Sequence, residues 1–279
     1  MDKHASEVAA GQRFEFGANW KNFLGSLDEQ RILDAERSLQ RFLGKTRLDG
    51  LRFLDIGSGS GLFSLAAWRL GATVHSFDFD PQSVECTRRL KQSRGADDGR
   101  WKVQEGSVLD RDFVGGLGEW DIVYSWGVLH HTGRMWDALE NAAGRVACNG
   151  LLYIAIYNRQ PMLSSYWVLV KKTYNRSPWP VRQLMKAGFV AFFATELFAA
   201  DAVRGRNPFG RYHRRGGRGM NLVNDVVDWI GGWPFEVASP EEIFRHFRER
   251  SFVLEEMSTC GGRHGCNQFV FKKSSAPLN

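Results

Sequence analysis

The segment Leu54-Asp55-Ile56-Gly57-Ser58-Gly59-Ser60-Gly61 constrains this chain more than any other. Before it, Arg52 to Ile56 reads as a buried strand. After it, Leu62 to Leu70 reads as a helix that stops before Gly71. Glycines at such a joint let the backbone approach a ligand closely and turn sharply into the helix. A strand, a glycine turn and a helix in that order open a doubly wound α/β fold, with its ligand at the carboxyl edge of the sheet.

The downstream sequence keeps the same rhythm. Thr73 to Phe77 reads as a second strand and Pro81 to Gln92 as a helix, with proline at its start. Trp101 to Glu105, Asp121 to Ser125 and Leu151 to Tyr157 read as strands three to five, and Met135 to Ala147 as the helix before the fifth. Strands alternating with helices predict a mostly parallel sheet covered on both faces. Upstream, Ile32, Leu33, Leu39, Phe42 and Leu43 recur at helical spacing behind Asp28, a candidate cap, whereas residues 1–22 read as polar and irregular. At the other end, Pro240 to Glu249 reads as a helix. Phe252 to Met257 and Gln268 to Phe271 read as a closing hairpin around a glycine-rich turn.

The rhythm breaks after Tyr157. Residues 157–219 hold twelve Lys or Arg against Glu196 and Asp201, a local charge of about +10, while the whole chain carries +6. The stretch is also rich in aromatic residues, including Tyr166, Trp167, Tyr174, Trp179 and Phe189. It reads as a mostly helical insertion or lid. The expected division is an N-terminal helical cover over 1–50, a core over 51–158, the insertion over 159–238, and a C-terminal helix and hairpin over 239–279.

A glycine loop alone does not name its ligand, since NAD-binding loops share the pattern. Two acidic features narrow the choice. Asp55 stands two residues before the first glycine, where a carboxylate can order the loop or meet a cationic ligand. Asp78 closes the second strand, one βαβ step further on, where a carboxylate can accept both hydroxyls of a ribose. Asp80, before Pro81, reads as a helix cap.

Taken in order, LDIGSGSG, HSFDFDP, EGS, DIVYSWGVLHH and GLLYIAIYN resemble the motif series of class I S-adenosylmethionine-dependent methyltransferases, over residues 51–158. The flavour is nearest to the small-molecule O-methyltransferases of the ubiquinone-biosynthesis type. The resemblance implies a seven-stranded sheet, parallel but for an antiparallel last strand, and S-adenosylmethionine as cofactor. It places Gly57, Ser58, Gly59 and Gly61 beside the methionine and ribose, Asp55 on the loop or the methionine amine, and Asp78 on the ribose. Phe79, Ser107 and Val108 would lie around the adenine, although many relatives carry Asp where Ser107 stands. Trp126 and Gly127 would touch the methionine part.

Methyl transfer needs an acceptor in line with an activated methyl group, and a hydroxyl acceptor gains from a base. His130 and His131 follow strand four on the ligand-binding edge, and histidine titrates near neutrality. Adjacent side chains point different ways, so one is expected to serve, His131 before His130, with an acid limb at the ordinary histidine value. Trp20, with Asn19, is a candidate cover over the cofactor. Tyr157 and Asn158 are candidates for acceptor contact. His213, Arg218, Asp225, Asp228, Trp229 and His264 are weaker ones, better read as surface or loop.

The expected function is methylation of a small molecule, most simply at the oxygen of a phenol, a sugar or a secondary metabolite. RNA or DNA, or a small amine, is the alternative acceptor class. Nucleic acid is disfavoured because the D/N-P-P-Y/F signature of amino-group methylases is absent. A protein that keeps the fold only to bind a membrane surface or a partner is the other class of reading. The apolar stretch 181–203, flanked by cations, suits peripheral membrane contact. The longest apolar run, Ala187 to Ala200, falls short of a span. Cys86, Cys148, Cys260 and Cys266 are scattered, so free thiols and a cytoplasmic setting are expected. Cys260, His264 and Cys266 lack the paired spacing of a zinc site, and no metal is expected.

Overall fold

A computed structural model describes residues 3–17, 20, 25, 27–96, 98–203, 205, 222–262 and 265–275. The first helices are α1 (Lys3–Ala9) and α2 (Glu29–Leu43). The core then runs β1 (Arg52–Ile56), α3 (Leu62–Arg69), β2 (Thr73–Asp78), α4 (Pro81–Ser93), β3 (Trp101–Glu105), α5 (Arg111–Gly116) and β4 (Trp120–Trp126). A 3-10 turn, Leu129–His131, leads to α6 (Met135–Ala143) and β5 (Val146–Tyr157). Three helices follow: α7 (Pro161–Arg176), α8 (Trp179–Val203) and α9 (Leu222–Gly231). The chain closes with α10 (Pro240–Arg248), β6 (Phe252–Ser258) and β7 (Cys266–Lys273).

The strands form one seven-stranded sheet in the order β3-β2-β1-β4-β5-β7-β6. Neighbours among β1 to β5 are parallel, and β7 runs antiparallel to both β5 and β6. This is the expected doubly wound α/β architecture with an antiparallel last strand. Side chains of a strand alternate between its faces. Leu54 and Ile56 therefore join Leu139, Ile243 and Phe247 on one side of the sheet, while Phe53 joins Ile32, Leu65 and Leu90 on the other. Burying each such side chain contributes roughly 1.5–3 kcal/mol. The strand order reverses between β1 and β4, which opens a crevice at their carboxyl ends.

Local departures from the sequence reading have simple causes. The N-terminal segment is not wholly irregular, since it includes α1. The unforeseen α5 starts where the Asp110 carboxylate accepts from the amides of Asp112 and Phe113. Helix α6 stops at Ala143, not Ala147, because Val146 already pairs with Trp120 in the sheet. The apolar run read as Ala187 to Ala200 belongs to a longer helix. Within it, Trp179–Ala202 is long and apolar enough to cross a membrane by length and composition.

Helices α7, α8 and α9 share a third apolar cluster, in which Trp167, Val170, Ile230 and Phe235 pack with Met185, Phe189, Val190 and Phe193. Two polar side chains of α7 bind the C-terminal carbonyls of α9. The Lys171 ammonium donates to the Trp229 carbonyl, and Asn175 Nδ2 donates to that of Gly231 at 2.7 Å. The insertion leaves and rejoins the core at one place. Ala238 N donates to the Tyr157 carbonyl at 3.0 Å, and Arg159 N to the Ala238 carbonyl at 3.1 Å.

Candidate active site

At the crevice, the turn after β1 is held from both sides. The amides of Gly57 and Ser58 donate to the Phe77 carbonyl at 2.8 and 3.2 Å, and Gly59 N donates to the Asp78 carboxylate at 2.9 Å. Gly57 and Gly59 have φ of 80° and 55°, a region that favours glycine. A Cβ on Gly57 would lie 2.4 Å from Val128, and one on Gly59 would lie 2.9 Å from the indole of Trp20. The backbone here thus packs where no larger residue fits. Around it opens a cleft of ≈ 650 Å³.

The cleft holds two acids whose charge is costly. The Asp78 carboxylate also accepts from Asp80 N at 3.0 Å, yet burial pushes its pKa up to about 6. Asp55 accepts from the Ser64 hydroxyl. Burial, with the nearby Asp78 adding to it, raises its pKa to about 7. Desolvation disfavours the charged form of a carboxyl group, and a cationic ligand would restore it. Tyr124 lines the cleft as well. Its buried hydroxyl has no hydrogen-bond partner among the described residues, and burial pushes its pKa upward.

The N-terminal segment folds over this edge. Gly17 N donates to Asp80 at 2.7 Å, while Asp80 caps α4 by accepting from Gln82 N. Arg13 lies over the Phe79 ring, 4.8 Å from its centroid. Trp20 lies against Gly59, so it covers the glycine loop; its neighbour Asn19 falls outside the described residues.

The far end of the cleft is aromatic, lined by Phe14, Phe16, His131, Tyr157 and Trp229, with Asp228 alongside. His131 Nδ1 lies 2.6 Å from the Pro234 carbonyl, which can only accept, so Nδ1 carries the proton and Nε2 the lone pair. Burial, helped by the charges of Lys171 and Arg13, lowers the pKa of His131 to about 3. The expected limb at the ordinary histidine value is therefore corrected, because this imidazole is neutral throughout the physiological range. Lys171 is buried behind the same wall, 4.8 and 4.7 Å from the ring centroids of Trp229 and Phe235. Its pKa falls to about 7 through burial, which Asp228 opposes.

Of the residues expected at the site, Asp55, Gly57, Ser58, Gly59, Asp78, Phe79, Ser107, Val108, Trp126, Gly127, Trp20, His131 and Tyr157 all line the cleft. Three do not. Gly61 caps α3, and a Cβ there would meet Thr87, so its glycine serves helix packing. His130 is buried against Tyr157, whose amide donates to His130 Nδ1 at 3.4 Å. Asn158 accepts from Asn267 Nδ2 at 3.0 Å, which holds it on the β7 side. His213, Arg218, His264 and the side chain of Asp225 lie outside the described residues. The sequence reading missed Arg13, Arg31, Tyr124 and Gln268. No motif marks them, although Gln268 in β7 accepts from both Trp126 Nε1 and the Tyr153 hydroxyl.

Sheet order, glycine loop and acidic pair together define a doubly wound α/β fold with a ligand cleft at the carboxyl edge of its sheet. Residues 54–152 match the family described as "Methyltransferase domain". Among curated relatives, the ubiquinone biosynthesis O-methyltransferase of Caulobacter sp. (strain K31) is 31% identical over 128 residues, 44% of this chain and 49% of the relative. The ribosomal protein L11 methyltransferase of Bacillus velezensis is 31% identical over 173 residues, 54% of this chain and 52% of the relative. The chain thus spans about half the length of the curated relatives it matches. The same fold occurs in magnesium protoporphyrin IX methyltransferase from Synechocystis PCC 6803 with bound SAH, at a TM-score of 0.53 and 14% identity, covering 92% of this chain and 94% of that one.

Proposed function

We propose that this chain transfers a methyl group from S-adenosylmethionine to the hydroxyl of a small, ring-bearing acceptor. The observation that carries the reading is one continuous cleft with buried, charge-starved acids at one end and a neutral histidine in an aromatic wall at the other.

The residues fit the cofactor. Asp55 and Asp78 offer carboxylates whose ionisation a sulfonium and an ammonium group would favour. Asp78 would hold the ribose hydroxyls, the Gly57–Gly59 backbone would lie against the adenosine, and Arg31 would face the amino-acid carboxylate. Bound there, S-adenosylmethionine supplies an activated methyl whose sulfur keeps the electron pair of the broken C–S bond. The aromatic wall of Phe14, Phe16, Tyr157 and Trp229 excludes water and lays an acceptor ring flat. His131 takes the acceptor proton at Nε2 as the new C–O bond forms, while the Pro234 carbonyl fixes its tautomer.

A small amine is the second reading, favoured by Asp228 in the acceptor wall, which would attract an ammonium group. The test is calorimetry followed by turnover against matched phenols, sugar alcohols and amines. The reading expects micromolar binding of S-adenosylmethionine or its demethylated product, about −8 kcal/mol, and a methylated oxygen in the product. Absence of binding by either compound overturns the methyltransferase reading. Methylated nitrogen alone selects the amine.

A further inference from the structure

Helices α7 and α8 form a hairpin whose turn carries bare apolar side chains. Trp179 is 72% exposed and Leu184 75%, with Val181 exposed between them. On α7 the exposed stripe begins with Met162 (89%) and Leu169 (64%) and ends with Lys172 and Arg176. Large apolar side chains clustered on a surface mark a contact, since solitary ones are the norm.

Charge indicates what that contact is. Lys172, Arg176 and Lys186 surround the hairpin turn and have no ion pair among the described residues. Glu196 is the single exposed acid of the two helices, and Asp201 is buried. An apolar tip with tryptophan in a ring of lysine and arginine suits the headgroup region of an anionic bilayer. There the indole sits at the polar boundary and the cations meet phosphate. One face of α8 packs on its own domain, where Phe189 and Phe193 lie 5.7 and 6.3 Å from the Trp167 ring centroid.

We propose that the α7–α8 turn, centred on Trp179 and Leu184, docks this protein on anionic membrane surfaces. The hairpin is continuous with the aromatic end of the cleft, because α7 begins four residues after Tyr157 and shares its cluster with Trp229.

The test is co-sedimentation of the full chain with vesicles of phosphatidylcholine alone or of an equimolar mixture with phosphatidylglycerol. Binding is expected to the mixed vesicles only, weakening as salt rises. Trp179→Ser with Leu184→Ser, and separately Lys172→Glu with Arg176→Glu and Lys186→Glu, should each lower partitioning at least about tenfold. These positions are exposed or half-buried, and unchanged melting and unchanged binding of S-adenosylhomocysteine would confirm that both variants fold. No sedimentation of the native chain at low salt overturns the proposal, as does undiminished binding by both variants. A concentration-dependent dimer that the Trp179→Ser, Leu184→Ser variant abolishes, with no vesicle binding, assigns the patch to a second copy instead.

Discussion

The two ends of the cleft are built on opposite physical plans. At the loop end, backbone amides and carboxylates do the work, and position is set by glycines at positive φ that close against Val128 and Trp20. At the far end, rings from three separate segments meet: Phe14 and Phe16 from the N-terminus, Tyr157 from β5 and Trp229 from α9. On the proposed reading, the first plan serves the cofactor, which stays the same whatever the acceptor. The second sets shape through side chains, so on the same reading acceptor choice can change with the rings while the strand order stays as it is.

The sharpest way to break this comparison is at His131. His131→Ala should cut turnover by roughly 10²–10⁴-fold while leaving S-adenosylhomocysteine affinity nearly unchanged, as kinetics and calorimetry would read. His130→Ala should lower the melting temperature instead, because that ring is buried packing. Equal loss of cofactor affinity in His131→Ala would mean the two ends are not separable.

The converse test is Asp78→Ala. It should weaken cofactor binding by about 2 kcal/mol, roughly thirtyfold, by removing charge-assisted bonds and the anchor of Gly59. Acceptor KM at saturating cofactor should hold steady. A larger effect on the acceptor than on the cofactor would reverse the assignment of the two ends.

Acidity sharpens the contrast further. With Asp55 near 7 and Asp78 near 6, the empty cleft takes up protons that a cationic cofactor must displace. Affinity should therefore fall about tenfold per unit of pH between about 7 and 6, where the Asp55 proton must leave, and about a hundredfold per unit below about 6, where the Asp78 proton must leave as well. Calorimetry in buffers of different ionisation enthalpy should register that release. His131 stays neutral over the same span, so the acid limb of kcat/KM should belong to the carboxylates.

The smallest effect is on stability. The folded value of Asp55, about 7, lies above its ordinary 3.8. Between those values the folded chain holds a proton that the unfolded chain has lost, so stability falls as pH rises and the penalty is complete above about 7. Asp55→Asn should therefore raise the melting temperature of the cofactor-free protein by about a few degrees at pH near 8. The gain should shrink to roughly a third at pH near 5 and vanish only below the ordinary carboxyl value of 3.8. A gain independent of pH would point to packing rather than charge.

The loop end was legible in the sequence because its signals are local. Gly57, Gly59, Asp55 and Asp78 sit at fixed distances around one strand–turn–helix step, and the backbone requires those residue types there. Gly61 shows the limit of such reading, since the same residue type serves a helix start against Thr87. The aromatic end was only half legible. Nothing local distinguishes Phe16 or Trp229 from ordinary core aromatics. Which of His130 and His131 faces the cleft depends on the 3-10 turn that carries them. Arg13 and Gln268 became visible only when segments far apart in the chain met.

The junction at Tyr157 and Ala238 has a consequence of its own. About eighty residues depart from the sheet and return to it at neighbouring points, so the ends of the intervening chain lie side by side. Segments whose ends lie side by side can be lengthened, shortened or exchanged at little entropic cost to the host. A graft from another protein would have to close the same junction, offer rings to Phe14 and Tyr157, and return a carbonyl to His131 Nδ1 where Pro234 now supplies one. New acceptors could thus be recruited by recombination at two adjacent points, without waiting for point changes to accumulate in the donor-binding half.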